Sequence, residues 1–146
     1  FLAFYLYKDK YDGYLDEFMG ETLGEINKMS QIEIDDLLNV FNQSMKVCYQ
    51  LLGNTAFKRQ KKKKTGGFLK INKAIFEVLS VSIAKLSISE QQSLTIKKEL
   101  FRNSIHAVFT QEDFIKSITS GTAKVPQVVY RHSHVQQLIK DIINHD

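Results

Sequence analysis

The sequence predicts an all-α fold, a single compact domain of about six or seven helices, and three observations carry that prediction. Proline occurs once in 146 residues and glycine seven times, so the punctuation that turns and hairpins need is sparse. Apolar residues return at three- and four-residue spacing through almost every segment, the period of a helix face. Lysine, leucine, glutamate and glutamine fill those periodic segments, a composition that helices favour. At 43% hydrophobic residues, a chain of this length can bury roughly two-thirds of the surface its unfolded form exposes.

The elements follow in order. Phe1–Tyr7 is an apolar run that reads as the end of a longer helix, since it has no cap or turn ahead of it. It is far short of the roughly 20 residues that span a bilayer, and it lacks the flanks of a signal peptide. We therefore expect a C-terminal fragment of a longer, cytoplasmic protein. As an exposed end Phe1–Tyr7 is unfavourable, so it should pack on this core or on a partner.

Tyr11–Gly13 is a turn, and Tyr14–Met29 places Leu15, Phe18, Met19, Leu23 and Ile26 on one face. Gly20 and Gly24 weaken that helix, although small residues four apart also permit close helix approach. Ser30 and Glu33 form a capping box, opening a helix whose stripe runs through Ile34, Leu37, Leu38, Phe41, Met45, Cys48, Tyr49 and Leu52. Gly53–Asn54 stops it.

Asn72 caps a helix reaching about Leu86 that is apolar nearly all round, which marks it as central. Glu90–Phe109 is read as one further helix after Ser87 and Ser89. Thr110 with Asp113 suggests a short capped helix, Gln111–Ser117. Pro126 opens the last one, where its missing N–H is not needed.

The formal charge of +4 is unevenly spread. Lys58, Arg59, Lys61, Lys62, Lys63, Lys64, Lys70 and Lys73 supply eight positive charges with no acidic residue between them; the rest of the chain holds 12 basic against 16 acidic residues. Unpaired ammonium groups cannot be buried, so residues 58–70 are expected to be a basic, flexible, solvated loop. Its lysines suit phosphates, through counterion release. No aromatic interleaves Lys58–Lys64, so base stacking has no platform there.

Sites of chemistry are scarce. His132 and His134 are two apart, which on a helix turns the imidazoles about 200° away from each other, so they cannot share an ion. The pairs Asp35–Asp36 and Glu17–Glu21 lie on polar helix faces rather than converging as an acid and a base must. Cys48 sits in an apolar stripe, where a thiol is a small hydrophobe. It is also the single cysteine, which suits a reducing compartment. Gly66–Gly67 lacks the ending of a phosphate-binding loop. One polar stretch remains: Ser120-Gly121-Thr122 enters a helix N-terminus, where Thr122, Lys124 and Arg131 could hold an anion, or where Arg131 could simply pair with a carboxylate.

Five segments, in order, carry a family resemblance: FLAFYL, YLDEFMGETLGEIN, FNQSMKVCYQLLGNTAFKR, INKAIFEVLSVSIAKL and FIKSITSGTAKVPQVVYRHSHVQQLI. Together they resemble the C-terminal helical region of the domain of unknown function 262 family, the GmrSD/ParB-like restriction and phage-defence proteins. The resemblance implies prokaryotic defence or DNA processing, with nucleotide-dependent nuclease chemistry in an N-terminal ParB-like domain. That domain's Asp-Gly-Gln-Gln-Arg motif is absent from this sequence, as is the histidine-asparagine-histidine nuclease of some relatives. No family catalytic residue, cofactor or metal ligand therefore maps onto any position.

The expected role is a non-catalytic accessory domain that packs on the N-terminal ParB-like domain of the same polypeptide and helps organise a homo-oligomer. Its basic segment would be lent to DNA. The alternative is a protein-interaction or oligomerisation scaffold with no nucleic-acid role. Neither involves a membrane.

Overall fold

The computed structural model describes residues 1–60 and 68–145. Among them are eight α-helices: α1 (Leu2–Tyr7), α2 (Leu15–Ile26), α3 (Gln31–Leu52), α4 (Lys73–Ala84), α5 (Ile88–Ile96), α6 (Lys98–Val108), α7 (Glu112–Thr119) and α8 (Val125–Ile143). The all-α class stands. A two-stranded antiparallel hairpin, β1 (Lys58–Gln60) and β2 (Phe68–Ile71), is the one sheet among the described residues. No helix among them is long and apolar enough to cross a membrane.

The helix starts obey local chemistry. Ser30 Oγ accepts from the Glu33 amide while the Ser30 amide donates to the Glu33 carboxylate, closing the expected box on α3. Ser87 and Glu90 repeat the device on α5. Their hydrogen bonds hold the Glu33 and Glu90 carboxyls below the usual carboxylate range, led at Glu33 by the serine amide and at Glu90 by the serine side chain. Asn72 Oδ1 takes the amides of Ala74 and Ile75 at 2.9 and 3.0 Å, and its Nδ2 donates to the Ile118 carbonyl at 2.8 Å. One side chain thus starts α4 and ties it to the end of α7. Pro126 falls in the first turn of α8.

Three expectations change. The stretch 90–109 is two helices, because the chain breaks at Lys97 (φ −89°, ψ 25°) without glycine or proline. There the Lys97 ammonium reaches the Ile143 carbonyl at 3.0 Å, satisfying the end of α8 as cations do at helix C-termini. The Thr110–Asp113 cap does not form: Thr110 Oγ1 donates back to the Ala107 carbonyl, and α7 begins after Gln111 with no side-chain cap. The basic loop of 58–70 is strand at both ends, Lys58 pairing with Ile71 and Gln60 with Phe68. Such short, lysine-bearing strands carry little strand propensity of their own, and the hairpin is instead anchored from outside. Phe57 takes a left-handed φ of 64° and sets its ring edge-on to Phe76 of α4 at 5.0 Å.

The main core lies where α3, α4, α6, α7 and α8 meet, around Leu51, Ile75, Leu79, Ile105, Phe114 and Ile139. A second, smaller cluster joins Ala3, Phe4, Tyr11 and Phe18 to Val81 and Val128. Phe1–Tyr7 therefore packs on this chain's own helices. Gly20 and Gly24 do not serve close approach, since a Cβ at either would meet nothing within 4 Å. Replacing either by alanine should therefore raise stability by about 0.5–1 kcal/mol. Urea unfolding of G20A and G24A checks this.

Candidate functional site

Among the described residues, an ionisable cluster is buried between α4 and α8. On α8, Arg131 and His132 share the buried face of Val128, Val135 and Ile139, so both turn inward, to 2% and 1% exposure. Helix α4 presents a single carboxylate among apolar neighbours, Glu77. Its Oε2 accepts from Arg131 Nη2 at 2.7 Å, and its Oε1 lies 2.8 Å from His132 Nε2. An ionised carboxylate only accepts, so Nε2 carries the proton in that bond. Arg131 Nη1 donates to the Thr122 carbonyl at 2.7 Å and the Ser117 carbonyl at 3.4 Å.

This cluster is wired to the rest of the fold. The His132 ring stacks on Phe4 with centroids 6.1 Å apart. Tyr11 packs edge-on against Phe4 and donates its hydroxyl to the Ala123 carbonyl. Burial raises the Tyr11 phenol above its ordinary pKa, the nearby Arg131 guanidinium opposing that shift. The loop between α7 and α8 thus gives its carbonyls to Arg131 and Tyr11. Both Glu77 oxygens are engaged, which leaves neither as a free base. Outside lies a cavity of about 370 Å³ lined by Tyr11, His132, Ser133 and Gln136 together with Lys8 and Asp9.

The anion trio does not assemble. Thr122 is half-buried and Lys124 exposed, but Arg131 is inside the protein and committed to Glu77. The reason is register: Arg131 lies three and four residues from Val128 and Val135 and must point as they do. Its pairing with a carboxylate is the reading that the geometry matches.

His132 and His134 do diverge, His134 lying on the surface stacked on Tyr130 at 4.0 Å. Asp35, Asp36, Glu17 and Glu21 are all exposed. Among the described residues no group of three or more histidine, cysteine or acidic side chains is placed to hold a metal.

Glu77 was missed by reading the sequence. Its signal was there, because a lone carboxylate inside a nearly all-apolar helix needs a buried cation.

Of the basic segment, Lys58 and Arg59 stand half-buried on β1, while Lys70 and Lys73 are exposed beyond it. Lys61, Lys62, Lys63 and Lys64, the other expected nucleic-acid contacts, lie outside the described residues.

Cys48 is buried in the main core, and desolvation pushes its thiol up to about 12. Thiolate is the reactive form. A disulfide reagent should therefore label the native protein only as it unfolds, and label it at once in denaturant. Rapid labelling of the folded protein would contradict this burial.

A larger concavity lies elsewhere and is apolar. It measures about 550 Å³ and runs between α2 and α3 over the start of α1. Met19, Leu23 and Ile26 line one wall, and Ile34, Leu37 and Leu38 the other.

Compared with family models, curated proteins and solved structures, the chain has no match.

Proposed function

We propose that this chain is a non-catalytic, cytoplasmic helical accessory domain of a ParB-like prokaryotic defence or DNA-processing protein. It packs on the N-terminal ParB-like domain of the same polypeptide and offers its basic hairpin to nucleic acid. The observation that carries the DNA contact is the hairpin at 58–71. Lys58 and Arg59 stand on one strand and Lys70 on its partner, and the intervening sequence carries Lys61–Lys64, the densest run of positive charge in the chain. Polyanions bind such a unit by counterion release, without reading bases.

The inert role is supported by how the interior charges are used. Glu77, Arg131 and His132 bind one another and the loop carbonyls, and the cysteine is buried and protonated. They hold helices together instead of meeting in a cleft as an acid and a base would.

Fluorescence anisotropy with duplex DNA, at low and at high salt, tests the contact. Neutralising Lys61–Lys64 to alanine should weaken binding at low salt and reduce the salt slope by about 3–4, if each lysine neutralises one phosphate. Equal affinities and slopes would remove the hairpin from any DNA role and leave the interaction-scaffold reading.

A further inference from the structure

We infer that the groove between α2 and α3 is a docking site for a basic amphipathic helix, one with leucine- or isoleucine-type anchors flanked by lysine or arginine. The inference is independent of the DNA reading, since it concerns a different surface and a different class of partner.

The groove exists because two apolar stripes fail to close on each other. Helix α2 packs on α1, and α3 packs on α4, α5 and α6, while α2 and α3 diverge from the short connection at 27–30. Leu23 is left 58% exposed and Leu38 54%. Uncovered apolar surface of this kind, gathered in one place, marks an interaction site more than a chance exposure.

The lining selects the shape of the occupant. A small polar ligand needs a few convergent polar groups to orient it, yet the hydroxyl in this groove, Thr22 Oγ1, donates to its own helix at the Phe18 carbonyl. An added strand needs a free sheet edge, whereas both walls are helices whose backbone groups are already bonded. A helix satisfies its own backbone and presents only side chains, so it is the element that such a slot accepts.

The charge selects its sign. Residues 12–41, which span both walls and their connection, hold eight acidic residues and one basic one. The single lysine, Lys28, is paired with Glu25 at 2.7 Å. Asp16, Glu17, Glu21, Asp35 and Asp36 are exposed on the same two helices. Carboxylates concentrated on the two helices that make the groove attract cationic flanks and repel anionic ones. It equally disfavours an anionic membrane surface.

The test uses two synthetic helical peptides of about 18 residues, five turns, with identical leucine anchors, one flanked by lysine and the other by glutamate. Isothermal titration should show the lysine peptide binding the intact chain at least about tenfold tighter than the glutamate peptide, with the preference shrinking as salt rises. Leu23→Lys and Leu38→Lys should each weaken it about tenfold or more. Both positions are solvent-exposed, so circular dichroism and melting should remain unchanged and separate lost binding from lost folding. Equal binding of the two peptides would overturn the charge argument. Binding of neither would overturn the site, and self-association abolished by Leu38→Lys would assign the groove to a second copy instead.

Discussion

Replacing Glu77 by alanine should cost about 3–5 kcal/mol of unfolding free energy, among the largest effects of any single substitution in this chain. The carboxylate is 13% exposed and is the shared acceptor for Arg131 and His132, which are nearly fully enclosed. Removing it leaves a buried guanidinium without its counter-charge. Little slack exists, because Arg131 Nε and His132 Nδ1 already have no hydrogen-bond partner among the described residues. Urea unfolding followed by circular dichroism measures the loss. The triple variant E77L/R131M/H132L should recover most of it, since exchanging a buried ionic cluster for apolar side chains of similar size is often neutral or stabilising. A native-like midpoint for E77A alone would show that the cluster holds nothing together.

Phe114→Ala should also cost about 3–5 kcal/mol, by removing a fully buried ring and leaving a cavity. The position is sharper than a generic core site. Helix α7 is eight residues long and has no side-chain cap, so packing must hold it. Phe114 stacks on Phe109 with centroids 5.3 Å apart, and the same helix supplies the Ser117 and Ile118 carbonyls to Arg131 and Asn72. Loosening α7 should therefore weaken the Glu77 cluster as well. A double-mutant cycle of F114A with E77A is expected to be non-additive, because both act on α7 and its loop. Additive losses would mean that α7 stays in place without its anchor.

The parts legible in the sequence share a short physical range. Ser30 with Glu33, Asn72 and Pro126 start helices through hydrogen bonds or ring geometry that reach at most three residues along the chain, and all three act as read. The divergence of His132 from His134 follows from helix geometry alone. The all-round apolar character of 73–84 announces a central helix, and the Cys48 stripe a buried thiol.

Other features depend on residues far apart. The break at Lys97 lies where its ammonium meets the end of α8, 46 positions away in sequence. The hairpin carries weak strand signals and is fixed by pairing between residues on either side of the lysine run and by Phe57 against Phe76. The sequence offers Arg131 a carboxylate partner without naming it, and only the arrival of α4 gives it Glu77.

By itself, then, the sequence determined the helical class, most helix starts and the faces that are apolar, because capping and periodicity act within a turn or two. The tertiary structure alone decided which apolar faces are covered. The stripe of α2 and the first half of α3 read like the stripe around Cys48, yet one is open and the other buried. Burial depends on what the rest of the chain brings alongside, and periodicity carries no information about that neighbour.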